Sequence, residues 1–227
     1  DITSVNNMLL ETSGTITLAG STTSSEGNIT IDAGTLLSQN GNIETEGVSK
    51  TIDMIAENIT MADGTSIVAN AGDISLKASN SIVSEIITTS ADVSLVSTTG
   101  SIRDLDGNSK VNANGLSIQA GTNIGTSSNN FNTEVTNIAI DSNDSTFVEE
   151  VDSITVRSVE VIVNKVASDA TSTIVTVNNE DINSADDLVL KAVSINTEAN
   201  SGDITSVNNM LLETSGTITL AGSTTSS

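Results

Sequence analysis

Asp104, Asp106 and Asn108 stand at alternate positions of DLDGNSKVN, followed by apolar Val111. Oxygen ligands at places one, three and five with an apolar residue at eight are the spacing of a calcium-binding loop. Two places break the match: Ser109 replaces the glycine at six, and Gly115 replaces the bidentate glutamate at twelve. A tight turn between strands uses the same Asp-Gly and Asn residues. The expectation is therefore a turn, with calcium as the one cofactor the loop could take. The densest carboxylates are Glu149-Glu150-Val151-Asp152 and Asp186-Asp187. Paired carboxylates can cleave glycosidic bonds. Such sites also want aromatic platforms and nearby cations, and here the only aromatics are Phe131 and Phe147, the only arginines Arg103 and Arg157. A solvated acidic surface is the expected reading, with no catalytic residue and no enzyme. Sequons occur at Asn28, Asn58 and Asn143, but N-I-T is also the phrase that opens strands in this chain, so glycosylation gains little from them.

The composition limits partners. With 29 acidic and seven basic residues the net charge is −22, which repels nucleic acid and anionic head groups. No apolar run of membrane-spanning length occurs, so neither nucleic-acid binding nor membrane insertion is expected. The chain has no Trp, Tyr, Pro, Cys or His. Its core must be built from Ile, Val, Leu and Ala, which suits thin stacked layers better than a globular centre. The absent cysteines rule out disulfides and thiolate metal sites.

Any site must sit on what the chain repeats. Residues 203–227 read DITSVNNMLLETSGTITLAGSTTSS, identical to residues 1–25. Residues 1–202 are therefore one full repeat and residues 203–227 begin the next, an arrangement typical of folds that stack units. Within the repeat a short phrase recurs: a turn residue, often Gly, then Asn, Asp, Ser or Thr, then an alternating apolar run. Examples are Gly27-Asn28-Ile29-Thr30-Ile31, Gly72-Asp73-Ile74-Ser75-Leu76 and Ala91-Asp92-Val93-Ser94-Leu95. Apolar-polar-apolar is the signature of a strand with one face buried.

Fourteen leading apolar residues, from Ile16 to Ile218, divide 202 residues into 13 intervals with a mean of about 15.5. One of them is Val175. The interval from Val93 to Ile102 is too short for a coil, so Val93 to Leu116 reads as one irregular coil. Weaker apolar clusters at Leu36-Leu37, Ile67-Val68, Ile82-Val83 and Phe147-Val148 supply further strands. The prediction is an all-β, parallel β-solenoid running through residues 1–227 as a single unit. It has 12 or 13 irregular coils per repeat and advances roughly 58–62 Å at ~4.8 Å per coil. Recurrence in one polarity argues against an antiparallel sandwich, the competing fold. Ile29, Ile31, Ile74, Leu76, Leu116, Ile118, Ile138, Ile140, Leu188 and Leu190 should point inward, with Thr30, Ser75, Ser117 and the apolar Val189 in solvent. Residues 44–61 look least strand-like and residues 164–170 look like a loop where a coil widens. The two copies of the 25-residue segment should fold alike.

The phrases GDISLKA, GNITIDAG and GLSIQAG, with AGTNIGTSSNNFNTEVTNIAI, resemble the repetitive passenger regions of filamentous-haemagglutinin-like adhesins. The most specific part is residues 120–135. The chain departs from that pattern in its irregular coils and in lacking Pro after Asn129. The resemblance implies a right-handed parallel β-helix in the shaft of a large bacterial adhesin, extracellular or at the cell surface. The expected role is a structural spacer, with a laterally bundling fibre or sheath subunit as the second reading and a β-helix carbohydrate-active enzyme as a remote third. Expected partners are neighbouring copies of the repeat end to end and, in the second reading, other rods side by side. Neither end shows a polar capping coil, so the chain alone is expected to associate end to end.

Overall fold

Alternation places the Ile, Leu and Val of each phrase on one side of its strand, and that side forms the interior of a parallel β-solenoid. The computed structural model describes all 227 residues, all-β and without a helix, in about ten turns. Three faces surround the core. Face one begins with Ile2–Ser4, face two with Met8–Thr12 and face three with Ile16–Leu18. Each strand pairs in register with its counterpart one coil later, so like residues stack. One column on face two runs Leu10, Ile31, Met54, Leu76, Leu95, Ile118, Ile140, Ile182, Ile204, Thr224. All ten residues expected to point inward are buried. Burying each such side chain contributes about 1.5–3 kcal/mol.

The turns use the phrase's polar residues between coils as well as within them. Asn7 Oδ1 accepts the N–H of Asn28 (3.0 Å), and Asn28 Oδ1 accepts that of Thr51 (2.9 Å). Asp73 serves the N–H of Asp92 in the same way (3.1 Å). Each side chain thus satisfies a backbone donor that the strand ladder leaves unpaired at the corner. Glycine is required where the corners nest: a Cβ on Gly72 would lie 1.9 Å from the carbonyl oxygen of Lys50.

The coil count corrects the prediction of 12 or 13 coils per repeat. On face three the stack runs Ile16, Leu37, Ile59, Ile82, Ile102, Ile124, Thr146, Leu188, Met210. Successive members are 20–23 residues apart up to Thr146, so one coil carries up to three apolar phrases. Ile16 and Ile29, taken as leaders of successive coils, belong to different faces. Val93 and Leu116 are indeed one coil apart. A repeat spans just over eight turns and advances roughly 40 Å, not 58–62 Å. Residues 44–61 also prove more regular than expected, holding Ile52–Ala56 and Asn58–Met61.

The two identical segments form matching strands, the third one residue shorter in the second copy (Ile16–Leu18 against Ile218–Thr219), and share the register between their first and fourth strands. Ile2 pairs with Thr22, and Ile204 with Thr224. Their positions around the axis differ by one face. Met8 heads the face-two stack, whereas its copy Met210 ends the face-three stack. Ile204 likewise continues a face-two column, whereas Ile2 lies on face one.

Candidate functional site: a β-hairpin strapped along one face

One element breaks the parallel stacking. Val159–Val166 and Ser172–Asn179 form the only antiparallel pair of strands, a hairpin closed at Val166 and Ser172. Val175 and residues 164–170, read as parts of coils, belong to this hairpin. It interrupts a single strand. Val156 stacks on Ile138 and Ile182 on Ile140, so the hairpin occupies the place of one residue, opposite Ala139. Its loop is held by Asp169, which accepts from the Thr171 N–H (3.0 Å) and hydroxyl (2.6 Å), and Ala170 takes a left-handed φ of 63°.

The hairpin folds back along face two towards the N-terminus. The outward column there is Leu9, Thr30, Asp53, Ser75, Ser94, Ser117, Ala139. Val159, Val161 and Val163 form one buried apolar cluster with Ala139. The inner edge of the first hairpin strand donates to solenoid side chains at regular steps. Ile162 N–H reaches Asp73 Oδ2 (2.6 Å), Asn164 N–H reaches Thr51 Oγ1 (2.8 Å) and Val166 N–H reaches Thr30 Oγ1 (2.8 Å). Lys165 pairs with Asp32 (3.1 Å), and at the tip Asn7 Nδ2 donates to the Ala170 carbonyl (3.1 Å). The strap reaches from the coil of Ala139 to the first coil of the repeat.

This corrects the expected surface positions. Thr30, Ser75 and Ser117 point away from the solenoid interior but are buried at 0, 4 and 0% exposure beneath the strap. Asp53 is sealed there too. Burial raises its carboxyl to about 6, while the Lys165 ammonium pulls the other way. Burial likewise raises Asp73 against the hydrogen bonds from Ile162 and Asp92.

The sequence-derived candidates are dispersed. Asp104 is buried and its carboxylate holds the 126–132 loop, accepting from Asn129 Nδ2 (2.7 Å), Asn132 Nδ2 (2.7 Å) and Asn132 N (3.0 Å). Burial raises its pKa, and these donors partly offset it. Asp106 caps its own turn, accepting from Asn108 N–H (2.7 Å). Ser109, at the sixth place, hydrogen-bonds Glu85 through its hydroxyl. Asp104 and Asp106 thus serve different turns, and no three acidic groups converge as a metal cage.

Glu149 and Glu150 alternate on their strand, so one is exposed and the other buried. Glu150 accepts from Thr133 Oγ1 (2.7 Å) and Val135 N–H (3.0 Å), and burial raises its pKa. They cannot act as a facing carboxylate pair. Asp186 bonds Ser145 and Asn208, and Asp187 bonds Asn209. Asn28 is buried with its amide engaged, unlike exposed Asn143. In comparisons with known proteins, no family model, curated protein or solved structure matches this chain.

The hairpin had a signal in the sequence. Val159-Glu160-Val161-Ile162-Val163 is a mostly β-branched run without the Gly-Asn or Gly-Asp opening, and after the small or polar residues 167–171 a second β-branched run, Thr173 to Val177, follows.

Proposed function

We propose that this chain is a tandem-repeat shaft segment of a giant extracellular bacterial adhesin or surface filament, acting as a rigid spacer. The observation that carries this reading is the ten-rung column, in which the start of the second repeat takes its place as the next rungs. A fold that adds coils without altering those below it extends by repetition. Inter-coil hydrogen bonds run along the axis, and the −22 charge holds neighbouring rods apart. The resemblance of its phrases to filamentous-haemagglutinin-like passengers supports placement at the cell surface.

A laterally bundling fibre is favoured by one feature. The outer hairpin strand Ser172–Asn179 carries no charge and leaves Ile174 71% exposed, an unguarded edge on an otherwise acidic rod. Proteins of one, two and three repeats distinguish these readings by small-angle scattering. A shaft lengthens by roughly 40 Å per repeat at constant cross-section. A cross-section that grows with concentration identifies bundling, and a length that does not scale with repeat number defeats both. Antibody to residues 159–179 should label intact cells without permeabilisation.

A further inference from the structure

Face three carries a different outward column from the strapped face. It begins polar, with Thr17, Ser38 and Thr60, and after the loop at Gly125 ends apolar, with Phe147, Val189 and Leu211 in register. Phe147 and Val189 are only half-buried and Leu211 is 46% exposed. Val189 is the residue whose outward position the sequence leaves unexplained. Nothing in these 227 residues covers the stripe.

Leu211 is the copy of Leu9, and Asn209 the copy of Asn7, the residue that receives the hairpin tip. Because the second copy sits one face further round, the column that will bear the following unit's strap is this face-three column. We infer that the Leu211 end of the stripe, next to Val189, is the docking site for the hairpin tip of the following repeat. That tip, the counterpart of residues 167–171, would place its Ala170-equivalent carbonyl on Asn209. Each strap then ties its own coils together and ends on the first of them, beside Val189 in the last coils of the preceding unit. Successive straps wind round the rod a third of a turn per repeat, returning to the same face after three repeats. This rests on the tandem-shaft reading.

The chain has no cysteine, so one introduced thiol reports one position. Leu211→Cys is placed in the 227-residue chain, in a chain extended by one further repeat, and in that extended chain with its second hairpin replaced by a single residue. The inference expects maleimide labelling to slow at least about tenfold in the extended chain and to recover when the second hairpin is removed. Equal rates with and without that hairpin overturn it. Independently of the deletion variant, Asn209→Cys with a cysteine at the following unit's Ala170 position should form a disulfide on air oxidation. It should form as readily as Asn7→Cys with Ala170→Cys in the first unit; failure of the second unit's pair where the first unit's succeeds also overturns it. Scattering on the extended chain separates the two readings. If the rod does not lengthen by roughly 40 Å, the shaft reading fails; if it lengthens while the thiol of the Leu211→Cys variant stays open, only the docking fails.

Discussion

Faces two and three of the solenoid are written in the same alternation, yet they end in different environments. Both put Ile and Leu inward, and both carry Ser and Thr among their outward residues. On face three Thr17 and Thr60 meet solvent, whereas on face two Thr30, Ser94 and Ser117 are fully buried. The difference arises from one insertion, the hairpin that replaces a residue opposite Ala139 and lies back over six coils. Small hydroxyl side chains suit a layer that another strand must approach closely, and Thr30 also accepts a hairpin N–H, whereas the Ser94 and Ser117 hydroxyls are buried without a partner. An outward Ser or Thr therefore marks a face that can be covered, without showing that it is.

The inward columns should not distinguish the faces. Ile74→Asp under the strap and Ile59→Asp on face three both place an unpaired charge in a dry stack, and each should cost more than about 4 kcal/mol by denaturant unfolding. A parent-like midpoint for either would break the assignment of the core.

Removing the strap should affect face two alone. Joining Val156 to Ile182 through one Thr continues the ladder, so the β-sheet circular dichroism should persist with a lower melting temperature. Loss of the sheet signal would show that the hairpin is needed to form the coils as well as to cover them.

The strap also makes one charge expensive. Asp53 titrates at about 6 when folded but at ~3.9 when unfolded. Below about pH 4 both states hold the proton and the group contributes nothing. Between about pH 4 and 6 the unfolded chain releases it first, so stability falls as pH rises and stays reduced above 6. Asp53→Asn should accordingly stabilise the protein by up to about 3 kcal/mol at pH 7.5 and by almost nothing at pH 4. In the strapless protein the same substitution should have little effect at either pH, and an undiminished effect there would place the source of the shift elsewhere.

Bulk on the outward positions sharpens the contrast. Ser117→Leu must fit between coil and hairpin and should cost about 1–3 kcal/mol, whereas Thr60→Leu on the open face should stay within about 0.5 kcal/mol. Equal thermal shifts would mean the strap is loosely held. The smallest effect belongs to the hairpin loop. Ala170→Gly relieves a left-handed residue at some cost in chain entropy and should raise stability by about 0.5 kcal/mol, read as a small increase in denaturant midpoint.

Strands, their inward residues and the stacking of like on like were legible because period-two alternation and turn chemistry act over a few neighbouring residues. Ile29, Ile74, Leu116 and Leu188 could be assigned to the core on that basis alone. The number of coils could not, because an Ile-x-Leu phrase is the same on every face and only the ladder shows that Ile16 and Ile29 lie on different faces, less than one turn apart. The role of Asp104 was hidden likewise, since its partners Asn129 and Asn132 lie a full coil away.

By itself the sequence determined an all-β stack of Ile- and Leu-lined coils and the identity of its two 25-residue segments. Only the tertiary structure decided which outward face is sealed, how Asp53 acquires its raised pKa and why Met8 and Met210 stand on different faces. Local pattern sets a strand's sides, whereas its place around the axis depends on the length of every coil and insertion before it.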